Sequence, residues 1–311
     1  MKKNIKMIIS YDGTRYFGWE HQPGNDMTIQ GKLENVLDAM LAGEHEASGG
    51  GAAEKMAETP GSVVETRKAS QSEIQSDVKK NAVSQSERQP EKSLPKSGLK
   101  ASEGDEKGVT VIGAGRTDAG VHARAMTANV ILDTEKSCEE ILAYMNRYLP
   151  EDISVNKVVE ASPHFHSRYN AKGKTYRYTC WYGDTKPVFD RKYVSVLDKK
   201  PDVEKMREAA EHLVGMHDYK SFCGNPKMKK STVRVVDTIK IEESGGYIRL
   251  YFHGNGFLQN MVRIMTGTLL EVGFGKKKPE DMDGILEGKN RQLAGFTAEA
   301  KGLTLMKVDY E

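Results

Sequence analysis

The chain has 311 residues, of which 38% are hydrophobic and 29% charged, and its 46 basic and 44 acidic residues give a formal net charge of +2. This length suits one large or two ordinary domains, and every apolar run is far shorter than the roughly 18 residues of a membrane span. Three widely spaced cysteines fit neither a zinc pattern nor a disulfide framework, which favours a reducing cytoplasm.

The first elements alternate between strand and helix. The basic start is followed by an apolar run that is too short for a signal-peptide core, so residues 6–11 are predicted to form a strand. Residues 29–41 carry apolar side chains at helical spacing and predict a helix.

Residues 43–108 differ from the rest of the chain in composition. They contain no Phe, Tyr or Trp and are rich in Ser, Lys, Glu, Gly and Gln. Such a segment cannot bury enough apolar surface to offset the entropy of ordering, so it is predicted to be a disordered polar insertion. Outside it, 36 basic residues stand against 32 acidic ones, a mildly basic balance that permits a nucleic-acid partner.

The remaining elements predict an α+β fold with a largely antiparallel or mixed sheet. Ser137 and Glu140 form a capping box that opens a helix ending near residue 148, and Gly245-Gly246 predicts a hairpin. Two β-α-β-like halves are expected, residues 1–163 and 164–311. The predicted strands are 109–112, 126–132, 153–159, 174–182, 233–242, 247–253 and 303–308, and the later helices are 203–214, 257–272 and a short one from Pro279.

One stretch, residues 113–123, joins a strand to a tight turn that is rich in small residues. It holds one carboxylate, Asp118, and one guanidinium, Arg116. Small side chains let a large substrate approach the backbone, and a lone acid in such a loop is a candidate for chemistry rather than packing.

Three other interpretations of these residues are disfavoured. A dinucleotide-binding turn after Gly113 would need glycine where Asp118 stands, and a carboxylate there would repel a pyrophosphate. Asp118 and His122 could share a metal, but no third ligand has suitable spacing. Ser221 follows the adjacent pair His217-Asp218, which cannot easily align behind it as a hydrolase triad.

Two later stretches allow either a structural or a functional reading. Residues 165–178 interleave basic and aromatic side chains, with Tyr176 and Tyr178 on one face of a strand and Arg177 on the other. Aromatic rings there could stack on unpaired bases or belong to the core. Arg263, in a loop that enters a helix, could be a surface arginine or the buried partner of an acid.

Together these motifs make the chain similar to the tRNA pseudouridine synthase A family. Six blocks occur in order, and the resemblance covers the chain except residues 43–108. The blocks are Tyr11-Asp12-Gly13-Thr14 with Tyr16, Gly18, Trp19 and Thr28-Ile29-Gln30; residues 115–123; Phe165-His166 with Arg168, Lys174, Tyr176 and Tyr178; Gly215 with His217-Asp218-Tyr219 and Ser221-Phe222; Gly254-Asn255 with Phe257-Leu258, Met261-Val262-Arg263, Gly267 and Leu269; and Ala294-Gly295 with Thr297-Ala298 and Gly302-Leu303.

The resemblance implies an isomerase with the pseudouridine synthase fold and a central RNA-binding cleft. Such an enzyme converts uridine to pseudouridine at positions 38, 39 and 40 in the anticodon stem-loop of tRNA, without cofactor or metal, as a cytoplasmic homodimer with the tRNA bridging both subunits. A non-catalytic RNA-binding relative is disfavoured because Asp118, Tyr176 and Arg263 all stand in their motifs.

The resemblance also implies roles for individual residues. Asp118 matches the nucleophilic aspartate and Arg263 the arginine that favours its ionised form. Tyr176 matches the tyrosine that stacks on the uracil and is a candidate to take the C5 proton. Arg116 matches the arginine that holds the target base flipped out of the RNA. Four further basic side chains are candidate RNA contacts: Arg168, Lys172, Lys174 and Arg177.

Overall fold

The computed structural model describes residues 2–22, 24–49 and 108–311. In this part of the chain, ten strands and five α-helices alternate. The strands are β1 (Lys2–Tyr11), β2 (Ile112–Gly113), β3 (His122–Asp133), β4 (Ile153–Ala161), β5 (Gly173–Trp181), β6 (Ser195–Val196), β7 (Gly215–Asp218), β8 (Val233–Ser244), β9 (Tyr247–Gly254) and β10 (Leu303–Asp309). The helices are α1 (Ile29–Gly49), α2 (Cys138–Tyr148), α3 (Val203–His212), α4 (Met261–Gly273) and α5 (Asp281–Gly288).

All ten strands belong to one mixed sheet, in the order β4-β1-β3-β10-β5-β9-β8-β7, with β2 on β3 and β6 on β5. The last strand, β10, lies at its centre, where it runs parallel to β3 (Thr304 beside His122) and antiparallel to β5 (Leu305 beside Tyr176). The predicted α+β class with a mixed sheet is confirmed, and β10 brings strands from both ends of the chain together.

Local sequence signals account for several elements. The Ser137 hydroxyl accepts from the Glu140 N–H and the Glu140 carboxylate accepts from the Ser137 N–H, so the predicted capping box opens α2. Gly245 and Gly246 have φ of 57° and 84°, as a two-residue hairpin turn between twisted strands requires. Two short strands, β6 and β7, were not predicted, because they have too few residues to show an alternating apolar pattern.

The first helix is longer than expected, which corrects the predicted start of the disordered insertion at residue 43. Residues 43–49 continue α1 to Gly49. The Glu44 carboxylate accepts from the Thr134 hydroxyl at 2.7 Å and pairs with the Lys136 ammonium at 3.2 Å, which ties this last part of the helix to the end of β3. The rest of the predicted insertion, residues 50–107, lies outside the described residues.

Helix α4 begins four residues later than predicted, at Met261. Asn260 has a φ of 59°, a left-handed conformation that asparagine tolerates better than most residues, so the chain turns sharply before the helix starts. Nearly every side chain of α4 is buried, which explains why apolar residues continue along its whole length.

Strand β5 separates two environments. Tyr176, Tyr178 and Cys180 alternate along it and are buried, whereas Arg177 points to the opposite face.

In the described ranges, no helix is long and apolar enough to cross a membrane.

His122 ties the two ends of the chain together at the start of β3. Its Nδ1 accepts from the Gly13 N–H at 3.0 Å, and its Nε2 lies 3.1 and 3.2 Å from the carbonyl oxygens of Lys192 and Lys301. Because Nδ1 accepts, the proton of the neutral ring is on Nε2. Burial lowers the pKa of His122, and the nearby Asp12 carboxylate offsets this only in part. The folded protein therefore favours the neutral ring.

We expect His122 to make the fold sensitive to acid. As the pH falls from about 6.5, the ordinary histidine pKa, toward the lowered pKa of folded His122, the unfolded chain gains a proton that the folded chain resists, and stability falls. His122→Gln should lower Tm near neutral pH and flatten the dependence of Tm on pH in this window. Calorimetry over a pH series measures both, and an unchanged slope in the variant would contradict the assignment.

Candidate active site

Asp118 lies in the loop between β2 and β3, and this loop is held by the segment that follows β1. The Thr117 hydroxyl shares a hydrogen bond of 2.8 Å with the Tyr11 hydroxyl. The Thr117 carbonyl accepts from the Trp19 N–H at 3.1 Å, and the Gly120 N–H donates to the Tyr16 carbonyl at 3.3 Å. The acid therefore sits on a loop whose backbone is fixed on both sides.

Two glycines of this region are required by packing within the protein, and a third faces the flexible end of a lysine. A Cβ at Gly113 would lie 2.5 Å from the Trp19 ring, and one at Gly18 would lie 2.6 Å from the Thr117 carbonyl oxygen. A Cβ at Gly115 would lie 2.9 Å from the Lys174 Nζ. The expectation that small residues in 113–123 leave room for substrate is therefore corrected for Gly113 and Gly115, whose space the protein itself fills.

Arg263, in the first turn of α4, reaches Asp118 across 145 positions of sequence. Its Nη1 lies 3.2 Å from the Asp118 Oδ2 and also donates to the Asn260 Oδ1 at 3.1 Å. Its Nε donates to the Ala298 carbonyl at 2.7 Å. The Arg263 side chain is 17% exposed and that of Asp118 is 33% exposed, so the pair is partly withdrawn from water. The guanidinium is thus oriented by two other groups before it meets the carboxylate.

Tyr176 lies beside this pair on β5. It is 8% exposed, and its ring meets that of Phe257 edge-on, with 5.3 Å between the centroids. Burial raises the pKa of Tyr176, and the negative charge of Asp118 raises it further. The phenol therefore stays protonated, and the negative charge of Asp118 interacts electrostatically with its hydroxyl.

Arg116 lies on the outer side of the same loop. Its side chain is 62% exposed and forms a salt bridge with Glu20, which is 48% exposed. Exposed pairs of this kind are weak, so the guanidinium can leave Glu20 at little cost.

Two of the four candidate RNA contacts are exposed and two are partly buried. Arg168 and Lys172 are exposed ahead of β5. Lys174 is half-buried, and its Nζ donates to the Ala114 carbonyl at 2.8 Å. Arg177 is not brought together with Asp118: it lines a cavity of about 820 Å³ with Arg124, Arg249 and His122, and its Nε is buried without a hydrogen-bond partner among the described residues.

The geometry also bears on the disfavoured interpretations. Both ring nitrogens of His122 face backbone groups, so no metal pair with Asp118 is formed. The Ser221 hydroxyl donates to the Ile285 carbonyl and has no histidine partner. In the described part of the chain, no group of three or more His, Cys, Asp or Glu side chains could hold a metal ion.

Sequence reasoning missed the two hydrogen bonds that orient Arg263. Asn260 could have been found, because an asparagine directly before a helix is a candidate for a left-handed turn. The Ala298 carbonyl left no signal, since any residue supplies a backbone oxygen.

Comparison with known proteins shows the family of the chain. A family model described as tRNA pseudouridine synthase matches residues 7–170 and 209–311. The tRNA pseudouridine synthase A of Bacillus sp. (strain KSM-64) is 36% identical over 307 residues, which cover 99% of each chain. The tRNA pseudouridine synthase A 1 of Clostridium tetani is 36% identical over 308 residues, covering 99% of this chain and all of the relative. This chain belongs to the tRNA pseudouridine synthase family.

Proposed function

We propose that this protein isomerises uridine to pseudouridine at positions 38, 39 and 40 in the anticodon stem-loop of tRNA. The bond between N1 and C1′ is broken, C5 is joined to C1′, and the C5 proton is lost while N1 gains one. The observation that carries the proposal is the Asp118–Arg263 pair beside Tyr176, set in a fold shared with the family.

Asp118 acts as the nucleophile in this proposal. An ionised carboxylate can attack an electron-poor carbon or stabilise its positive charge. Arg263 pairs with this carboxylate because its guanidinium lies at hydrogen-bonding distance and is held there by Ala298 and Asn260. With Arg263 in place, the carboxylate keeps a charge partner when RNA covers the loop.

Tyr176 serves as the platform for the uracil. An aromatic face stacks on an unpaired base, and the edge-on contact with Phe257 fixes the ring. The raised pKa of Tyr176 makes a phenolate costly, which favours stacking over proton abstraction by a tyrosinate. A C5 proton taken by this hydroxyl would have to leave it again in the same step.

The direct test is to incubate the protein with an unmodified tRNA transcript and map pseudouridine by sequencing. Transcripts in which U38, U39 and U40 are replaced one at a time by cytidine identify the target. We expect modification at these positions only. Tight tRNA binding without any pseudouridine would instead support a non-catalytic RNA-binding protein.

Arg116 holds the flipped base in this proposal, and Arg116→Ala should act through base flipping. Flipping costs more for a paired base than for an unpaired one. The variant should therefore lose about 10–100-fold in single-turnover rate at U39 and U40 in the stem, and less at U38 in the loop. Glu20→Gln, which frees Arg116 from its salt bridge, should not slow the reaction. An equal loss at all three positions, with weaker tRNA binding, would make Arg116 a surface contact.

We also propose a cytoplasmic homodimer that binds one tRNA across both subunits. The family resemblance supports this assembly. Sedimentation of the free protein and of its tRNA complex tests it, and a monomer that still modifies tRNA would contradict it.

A further inference from the structure

Lys174 connects the strand that carries Tyr176 to the loop that carries Asp118. It lies two residues before Tyr176 on β5, so both side chains leave the same face of the sheet. Its Nζ donates to the Ala114 carbonyl at 2.8 Å, four residues before Asp118. The Ala114 N–H donates to the Thr127 carbonyl of β3 at 2.8 Å, and the contacts at Thr117 and Gly120 come from residues 11–19. Lys174 adds a further hydrogen bond to the loop, from β5.

Gly115 provides the space for this ammonium group. A Cβ at position 115 would lie 2.9 Å from the Lys174 Nζ but 3.8 Å from its Cε, which is ordinary contact distance. The backbone of Gly115 is not left-handed, so its conformation does not require glycine. An alanine at position 115 would therefore displace the end of the Lys174 side chain and leave the backbone in place.

Lys174 loses its charge at a lower pH than an exposed lysine does. Burial lowers its pKa to about 8, and the positive charges of Arg168, ahead of β5, and Arg234, on β8, add to this effect. On the neighbouring strands, the His253 ring of β9 lies 2.9 Å from the carboxylate of Asp237 on β8 and 3.5 Å from that of Asp309 on β10. None of the ion pairs between described residues includes Lys174. A charged donor makes a hydrogen bond roughly twice as strong as a neutral one, so deprotonation weakens the hold on Ala114.

We propose that Lys174 is a positioning residue, whose ammonium group fixes the Ala114 carbonyl and thereby sets the place of Asp118 relative to Arg263 and the bound uridine. The inference rests on the proposed role of Asp118. It separates Lys174 from the exposed Arg168 and Lys172, which remain candidates for direct contact with RNA.

Two substitutions break the same contact from opposite sides. Lys174→Met keeps most of the chain length and removes the ammonium. Gly115→Ala pushes the ammonium away from Ala114. Each should lower the single-turnover rate at saturating tRNA by about 10–100-fold and change the Kd for tRNA by less than about threefold. Methionine ends near the position of the lysine Cε, where the alanine is tolerated. The double variant should therefore be no slower than Lys174→Met alone.

A pH series adds a readout that a purely structural role would not move. The wild-type rate should fall as the pH rises through about 8, because Lys174 loses its proton there. Lys174→Met should lack this alkaline fall. Arg168→Gln should move the fall to higher pH, since one of the repelling charges is gone.

Lys157→Met, at an exposed lysine on β4, is the matched control and should keep the wild-type rate. If Lys174→Met does not fold, Gly115→Ala carries the test. Asp118→Asn is measured in parallel. A wild-type rate for Asp118→Asn would overturn the proposed function itself. An inactive Asp118→Asn combined with a wild-type rate for Lys174→Met would overturn only the positioning role, as would a large rise in Kd at an unchanged saturating rate.

Discussion

Asp118→Asn is expected to abolish pseudouridine formation while leaving tRNA affinity within about threefold of wild type. The substitution keeps the size of the side chain but removes the charge that would attack or stabilise the sugar carbon. Loss of a nucleophile lowers rates by about 10⁴-fold or more. Affinity should persist because phosphate contacts from basic residues supply most RNA binding.

The measurement for Asp118 is single-turnover conversion of an unmodified tRNA transcript, read by sequencing, with a binding isotherm on the same transcript. Asp184→Asn, at an exposed aspartate outside the site, is the control for the loss of one negative charge. Turnover of Asp118→Asn within tenfold of wild type would rule out the nucleophile.

Arg263→Met is the second large effect. It leaves Asp118 without its charge partner and takes donors from the Asn260 side chain and the Ala298 carbonyl. Removing one member of a partly buried pair is costly, because the remaining charge stays desolvated. We expect a fall of about 10²–10³-fold in the single-turnover rate.

Arg263→Lys separates charge from geometry. Lysine restores a positive charge but not the planar fork that reaches Asp118 and Ala298 together, so it should recover only part of the rate. Arg147→Met, at an exposed arginine of α2, is the control. Full activity of both Arg263 variants would mean that Asp118 does not depend on this partner.

Short-range patterns were sufficient for most of the fold. The capping box at Ser137, the hairpin at Gly245-Gly246 and the apolar stripe of α1 each correspond to an element, because neighbours in sequence decide them. The errors lie at the ends of two helices, one set by a distant contact and the other by a local turn. Helix α1 extends to Gly49, and a hydrogen bond joins its Glu44 to Thr134. Helix α4 begins only after the left-handed turn at Asn260.

In the candidate site too, local patterns named residues but did not decide their contacts. Asp118, Arg116, Tyr176 and Arg263 could each be named from their motifs, and the strand alternation placed Arg177 away from Tyr176. Spacing could not decide whether Arg263 was a surface residue or a partner of an acid. Nor did it distinguish Lys174, which holds the loop from within, from Lys172, which is exposed.

By itself, the sequence predicted most of the elements in order, the α+β class and the candidate catalytic residues, because these predictions depend on side-chain type and on patterns within a few residues. Only the tertiary structure decided which of these residues meet. Asp118 and Arg263 are 145 positions apart, and their pairing requires β10 to lie between β3 and β5 so that the loop before β3 and the start of α4 face each other. Such contacts arise from burial of the whole sheet, which no local pattern records.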